Sequence, residues 1–332
     1  MKVSRSFLEA VGDTPLIYLK GPSEQTCCEI YGKAEFANPG GSIKDRAAVY
    51  MIRDAQEKGL LQPGGILVEG TAGNTGIGLT LAANSLGYAS LIVMPETQTD
   101  EKKNTLRALG ADLRLVPAVP YKDDNNYVKY AGRLAAEYNR THAQGAVWAN
   151  QFDNLANKRA HYETTGPEIW QQMEGQLDGF CCAVGTGGSI SGISAFLRSQ
   201  KPDIKIALAD PPGAALHNYY CCGELKAEGS SLTEGIGQGR ITANLEGFAP
   251  DYSYSIPDQE TLDVMFAMCR DEGLYLGGSS AINIAGTIRM AREMGANHRL
   301  VTLLCDQGDR YLSKLYNRTF LEESGFSVPD WL

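Results

Sequence analysis

Residues 179–200 read GFCCAVGTGGSISGISAFLRSQ, and the order of the three parts of this stretch decides the fold. GFCCAV is a short apolar run of the kind that forms a strand covered on both faces. SISGISAFLRSQ repeats its apolar groups at helical spacing, and the glycine-rich Gly185-Thr186-Gly187-Gly188-Ser189 between them has the composition of a tight turn. Strand, glycine loop and helix in that order make half of a parallel β-α unit, with the loop at the carboxyl edge of the sheet where ligands bind. The same alternation extends in both directions. Upstream lie GGILVEG and IGLTLAANSLG, ASLIVMPE and DEKKNTLRALG, then DLRLVPA and NNYVKYAGRLAAEYN; downstream lie IKIALAD, TLDVMFAMCRDEG, INIAGTIRMAREMG and RLVTLLCD. The pattern predicts an α/β protein with two doubly wound, mostly parallel sheets joined near Ala149 to Ala156. The stretch 211–252 is rich in glycine with few strand signals, and irregular segments of that length are often functional.

Composition narrows the class of partner. The 332 residues leave room for two such units, and 43% hydrophobic with 21% charged is ordinary for a globular chain. A formal charge of −9 and an isoelectric point near 5.1 lack the basic footprint that a nucleic acid or an anionic membrane requires. No apolar run reaches 18 residues, and MKVSRSFLEAVGD has no signal-peptide pattern, so a soluble, cytoplasmic protein is expected. Eight cysteines form no C-x-x-C, and the histidines number only four. Neither a metal site nor a disulfide framework is expected, and most cysteines read as small buried hydrophobes in a reducing compartment.

Four loops between an expected strand and an expected helix carry the candidate chemistry. Gly185 to Ser189 suits a phosphate: glycines let the backbone approach, and the helix end supplies N–H donors and a favourable dipole. It is neither a dinucleotide fingerprint, because Ile190 stands where a third glycine belongs, nor a P-loop. A plain strand-to-helix turn is the bland alternative. Asn38-Pro39-Gly40-Gly41-Ser42-Ile43-Lys44-Asp45-Arg46 leads into a helix ending at Gly59 and sets Lys44 in its first turn. The positive end of the helix dipole disfavours a charged amine there, which suits a nucleophile; a surface lysine paired with Asp45 is the alternative. Thr71-Ala72-Gly73-Asn74-Thr75-Gly76 offers hydroxyls, an amide and N–H groups to a carboxylate, against ordinary helix capping by Thr71, Asn74 or Thr75. Gly277-Gly278-Ser279-Ser280 opens the helix of INIAGTIRMAREMG, and its hydroxyls suit either capping or a neutral ring nitrogen.

Taken together, the phosphate loop, Lys44 before Asp45-Arg46, and Thr71 to Gly76 resemble the fold type II pyridoxal-phosphate enzymes of the tryptophan synthase β kind, and within them the cysteine synthases (O-acetylserine sulfhydrylases). The resemblance runs from Gly12-Asp13-Thr14-Pro15-Leu16 through Gln151-Phe152, Asn154, Asn157, His161 and Thr164-Thr165-Gly166-Pro167-Glu168-Ile169 to Gly308-Asp309-Arg310-Tyr311. It implies a smaller, mobile domain over 41–153 and a larger cofactor-binding domain from 1–40 and 154–332. It implies that Lys44 is the catalytic residue and carries pyridoxal 5'-phosphate. By the same resemblance Gly185, Thr186, Gly187, Gly188 and Ser189 hold the phosphate, Asn74 bonds the ring hydroxyl, and Ser279 faces the ring nitrogen. Thr71, Ala72, Asn74, Thr75 and Gln151 match the positions that hold the substrate carboxylate, with Gly235 in a loop near the substrate. The activity implied is β-replacement, giving L-cysteine from O-acetyl-L-serine and sulfide through an aminoacrylate. A homodimer and binding of a serine acetyltransferase C-terminal tail are implied as well.

The chain departs from the family pattern at three places. Ala72 replaces a serine of the carboxylate loop, Ala281 stands where glycine is common after the two serines, and Ser189 replaces a threonine. The tail from Ser313 carries Phe320, Leu321, Phe326, Trp331 and Leu332, suited either to a partner subunit or to packing within the chain. Cystathionine β-synthase, β-cyanoalanine synthase and serine or threonine dehydratase share the lysine and phosphate loop and are the alternatives of similar chemistry. A catalytically weak regulatory homologue is the alternative from another class. A nicotinamide dehydrogenase stands further off because of Ile190.

Overall fold

The computed structural model describes residues 3–332 and contains two sheets. The first has six strands in the order β1-β2-β10-β7-β8-β9: β1 (Leu16–Tyr18), β2 (Glu29–Ala34), β10 (Arg299–Leu304), β7 (Gly179–Ala183), β8 (Lys205–Asp210) and β9 (Tyr252–Ser255). All neighbours are parallel except the edge pair β1 and β2, where Leu16 faces Lys33. The second sheet is wholly parallel in the order β5-β4-β3-β6: β5 (Asp112–Val116), β4 (Ala89–Pro95), β3 (Ile66–Gly70) and β6 (Ala146–Trp148). The expected α/β class with mostly parallel sheets is therefore correct. The short strands β1, β6 and β9 were not legible, having too few residues for a pattern, and β2 was not because Glu29, Gly32 and Lys33 interrupt its apolar run.

Layering follows from strand alternation. Phe180 and Cys182 point to one face of the six-stranded sheet, against Ile190, Ile193 and Leu197 of the helix Gly188–Gln200. Cys181 points to the other, against Ile282 and Ala285 of the helix Gly278–Met294. That second helix lies close because Gly286 has no side chain: a Cβ there would stand 2.6 Å from the Ala209 Cβ. On the smaller sheet, the helices Lys44–Glu57 and Asn74–Leu86 bury Ala47, Met51, Ile52, Leu79 and Ala83 with Leu67.

Three expectations need correction. All eight cysteines are free, but only Cys28, Cys181 and Cys182 are buried; Cys27, Cys221 and Cys222 are exposed and Cys269 and Cys305 intermediate. Cys221 and Cys222 close a short helix, Leu216–Cys222, inside the stretch read as irregular, and its outer face meets solvent. The helix after the glycine loop starts at Gly188, before Ile190, so the loop's last two residues already belong to its first turn. The tail packs on its own chain: Leu321 is fully buried, with Phe320, Phe326 and Leu332 against the cluster of Leu262, Met265 and Phe266. The Trp331 ring meets Phe266 edge-on at 5.7 Å. Ala281 is fully buried in that cluster, which gives its Cβ a packing role.

Candidate active site

The carboxyl ends of β3, β7 and β10 and the loop after β2 open on one cavity of about 350 Å³. Lys44, Thr71, Ala72, Asn74, Thr75, Gln151, Gly185, Thr186, Gly187, Ser189, Gly235 and Ser279 all line it. Of the residues expected at the site, Gly188 alone stands back from the wall. It supports the loop from behind, where a Cβ would meet Asn157 Oδ1 at 2.2 Å.

Lys44 begins the helix Lys44–Glu57, and a network of buried charges fixes the turn before it. Arg46 donates to Glu35, to Glu168 and to Thr14 Oγ1, while Lys33 pairs with Glu168 at 2.6 Å. Burial works against the Glu168 carboxylate, but Arg46 and Lys33 outweigh it and bring Glu168 down to about 2. Asn38 then carries the loop: its Nδ2 donates to the Glu35 carbonyl and carboxylate, and its Oδ1 accepts from the Gly12 N–H. The Gly40 N–H donates to Asp45 Oδ2 at 2.6 Å, while Asp45 Oδ1 is buried with no partner. Burial pushes Asp45 up to about 7 despite the Gly40 N–H and the charge of Arg310.

Three further helices begin at the cavity, and none has its first turn closed by a capping side chain. The helices Asn74–Leu86, Gly188–Gln200 and Gly278–Met294 have Gly73, Gly187 and Gly277 at the N-cap. Gly73 and Gly187 sit at φ +136° and +87°, in the region that favours glycine. Free N–H donors and the positive ends of three helix dipoles thus converge on one space. Capping, the bland alternative for these loops, is limited to one long contact, 3.4 Å from the Gly188 N–H to Thr186 Oγ1. Thr75 Oγ1 donates to Gln151 Oε1 at 2.6 Å, and Thr71 Oγ1 accepts from the Gly73 N–H. Ser280 Oγ accepts from the Cys305 N–H, leaving Ser279 to face the cavity. Around the phosphate-type loop, Asn157 Nδ2 donates to Thr186 Oγ1, and Ser189 Oγ meets His161 Nε2 at 3.1 Å. Burial lowers His161 to about 3, so its ring is neutral at working pH.

Beneath the Thr71 loop lies Glu69, fully buried, with neither carboxylate oxygen in a well-formed hydrogen bond. Burial outweighs the pull of the Gln151 amide and of the nearby Gln151, Asn150 and Gly70 N–H groups and pushes Glu69 up to about 8. At the mouth, Glu234 takes hydrogen bonds from Lys102 and Lys314, both at 2.6 Å. Gln98, with its amide assigned nitrogen-first because both neighbours are acceptors, reaches the Ala72 carbonyl and Glu234 Oε2 at 3.0 Å. Arg240 pairs through both Nη atoms with Asp153 and covers the rings of Tyr121 and Phe152. Sequence reasoning singled out none of Glu69, Lys102, Glu234, Arg240 or Asp306. Only Glu69 and Asp306 carried a local signal, as acids at the ends of the apolar runs GGILVEG and RLVTLLCD.

The donor set suits a small phosphorylated ring compound with an aldehyde. A primary amine, a glycine cradle at a helix N-terminus, an amide and a neutral hydroxyl all face one cavity. The cradle has no room to spare, since a Cβ at Gly185 would stand 2.3 Å from the Gly235 carbonyl. Among the described residues no cluster of three or more His, Cys, Asp or Glu is arranged to hold a metal, and no helix is long and apolar enough to cross a membrane.

Comparison with known proteins agrees with this geometry. Residues 7–306 match the family model described as pyridoxal-phosphate dependent enzyme. Cysteine synthase 1 of Neurospora crassa is 48% identical over 99% of this chain and 88% of its own length. Cysteine synthase 1 of Emericella nidulans is 50% identical over 98% of this chain and 88% of its own. Among solved structures, the O-acetylserine dependent cystathionine beta-synthase of Helicobacter pylori superposes with a TM-score of 0.84 at 29% identity, covering 95% of this chain and 99% of that one.

Proposed function

Because the chain belongs to the pyridoxal-phosphate dependent enzymes, we propose that it is a cysteine synthase, replacing the β-acetoxy group of O-acetyl-L-serine with sulfide and releasing acetate. The observation that carries this reading is the convergence of Lys44 with three glycine-capped helix N-termini on one cavity. Bound pyridoxal phosphate supplies an electron-accepting ring that acidifies the substrate's α-carbon.

The chain's own residues do the rest. Gly185 to Ser189 hold the phosphate through backbone N–H groups and the hydroxyls of Thr186 and Ser189. The first-turn N–H groups of the helix Asn74–Leu86, with the Thr71 hydroxyl, take the substrate carboxylate. Gln151 fixes Thr75 in that arrangement. Ala72 brings no hydroxyl, so backbone N–H groups carry the load that serine shares in the family pattern. Lys44 Nζ would hold the cofactor and, as a free amine, is placed to take the substrate's α-proton. Ser279 would face the ring nitrogen with a neutral hydroxyl, which would not hold a proton there as a carboxylate does and would favour loss of a β-substituent over transamination. Gly235 belongs to the wall beside the substrate.

Movement of 41–153 over the rest of the chain would open and close this cavity. A homodimer, a cytoplasmic setting and docking of a serine acetyltransferase tail at the carboxylate site rest on the family resemblance.

The test is the visible spectrum of the purified holoenzyme, read before and after O-acetylserine and again after sulfide, with L-cysteine assayed at the end. A band that shifts with O-acetylserine and returns with sulfide as cysteine forms supports the reading. Turnover retained in Lys44→Ala, or no visible band in cofactor-saturated protein, overturns it.

A further inference from the structure

Asn74 is held between two side chains of opposite hydrogen-bonding character. Its Nδ2 donates to Asp306 Oδ2 at 2.7 Å, and its Oδ1 accepts from Arg310 Nη1 at 2.6 Å. A carboxylate offers only acceptors and a guanidinium only donors, whereas an amide has one end of each kind. Turning the amide over would set its oxygen against Asp306 and its NH₂ against Arg310, replacing two attractions with two repulsions. The neighbours therefore fix an orientation that in most amides is ambiguous.

Both neighbours are themselves held. Asp306 is fully buried and accepts from the Tyr311 hydroxyl at 2.6 Å. Arg310 also donates to the Gly40 carbonyl, in the loop that leads to Lys44. Gly41 leaves room for this, since a Cβ there would stand 2.7 Å from Arg310 Nη2. One guanidinium, 236 residues beyond Asn74 in the sequence, thus ties the Asn74 loop to the Lys44 loop.

We infer that Asp306 and Arg310 are positioning residues that keep one N–H of Asn74 aimed into the cavity, at the ring oxygen of bound pyridoxal phosphate. The inference rests on the cofactor reading proposed above. Nδ2 carries two N–H groups; Asp306 takes one, and no protein acceptor among the described residues takes the other. A donor at that oxygen favours its charged form over its protonated form. Without the lock, the amide presents nitrogen or oxygen in turn and the preference weakens.

The measurement is the ratio of the two visible bands of the bound cofactor, ring oxygen charged against ring oxygen protonated, at one pH in the holoenzyme. Asp306→Asn and Arg310→Met are expected to raise the protonated share about three- to tenfold, the range of one hydrogen bond. Arg310→Lys, still a donor without acceptors, restores most of the wild-type ratio. Ser313→Ala, which breaks only the Oγ hydrogen bond to Glu101, leaves it unchanged. In an Asn74→Ala background, Arg310→Met changes the ratio no further. Folded Asp306→Asn and Arg310→Met proteins that bind cofactor with the wild-type ratio overturn the inference. So does an added effect of Arg310→Met in the Asn74→Ala background. A wild-type protein with no visible band overturns the cofactor reading instead.

Discussion

Arg46 grips both carboxylate oxygens of Glu35, through Nε at 2.7 Å and Nη2 at 2.8 Å, and neither side chain has more than 1% of its surface exposed. Arg46 sits two residues beyond Lys44 and Glu35 nine before it, at the two ends of the loop that delivers the lysine. Burial lowers Arg46, but the charges of Glu35 and Glu168 outweigh it, so the guanidinium stays charged. Breaking such a pair leaves a carboxylate buried alone, which costs about 3 to 5 kcal/mol. Arg46→Met is expected to lose stability in that range by denaturant unfolding. Arg46→Lys recovers only part of it, because an ammonium cannot make the two-pronged contact. A loss under about 1 kcal/mol in Arg46→Met would show that Glu35 is carried by other donors.

Glu69 gives the protein an adverse pH dependence. Its folded value, near 8, lies above the ordinary carboxyl range, so the native state holds a proton that the unfolded chain releases. Stability is unaffected below about pH 4, falls as pH rises through the window, and levels off above pH 8. Asp45, near 7, acts in the same direction. Asp210, which burial also pushes up to about 7, adds to them, whereas His161 acts in the opposite direction but only between about 6.5 and 3, so the window from pH 6.5 to 8 isolates the three acids. Glu69→Gln keeps the shape and removes the ionisation. Its melting temperature at pH 8 should exceed that of the wild type by an amount equivalent to roughly 1 to 3 kcal/mol, with a shallower slope from pH 6.5 to 8. Equal slopes in the two proteins would show that Glu69 ionises freely in the native state.

What was legible in the sequence was whatever a short window can contain. Lys44 stood out because a lysine in the first turn of a helix after two glycines opposes the dipole, and the structure puts it there. Gly185 to Ser189 stood out because glycines between an apolar run and a helical period mark a parallel crossover. The residues that hold these loops in place could not be found that way. Asp306 reaches Asn74 across 232 positions and Lys102 reaches Glu234 across 132, and no local spacing encodes either pair. Cys221 and Cys222 were misread for a related reason: burial depends on which face of a short helix meets the sheet, and seven residues carry too weak a period to say.

Gly185 tests the phosphate cradle more sharply than any side chain there. A Cβ would stand 2.3 Å from the Gly235 carbonyl, and that contact is backbone on both sides, so neither can swing away. Gly185→Ala must therefore push the Gly235 segment outward and widen the cradle. The expected result is a folded protein, by circular dichroism, whose affinity for pyridoxal phosphate falls at least about tenfold, the worth of one or two phosphate hydrogen bonds. Wild-type affinity in this variant would place the phosphate elsewhere.

Glu234 offers the last prediction, because it joins three parts of the chain at the mouth of the cavity. Lys102 comes from the helix Asp100–Ala108, Lys314 from the tail, and Gln98 connects Glu234 to the Ala72 carbonyl of the carboxylate loop. The Lys102 stem lies across Gly73, where a Cβ would meet its Cδ at 2.6 Å, and its ammonium sits 4.2 Å from the Tyr311 ring centroid. Lys102 is only 2% exposed, so neutralising Glu234 leaves a nearly buried ammonium without its carboxylate. Glu234→Gln is expected to lose about 2 to 4 kcal/mol of stability. The KM for O-acetylserine should rise several-fold with a smaller change in kcat, since the carboxylate loop loosens while Lys44 is untouched. Adding Lys102→Met removes the stranded charge and should return most of the stability without restoring KM. If the double variant recovers neither, Lys102 and Glu234 act independently, and the mouth network does not hold the loop.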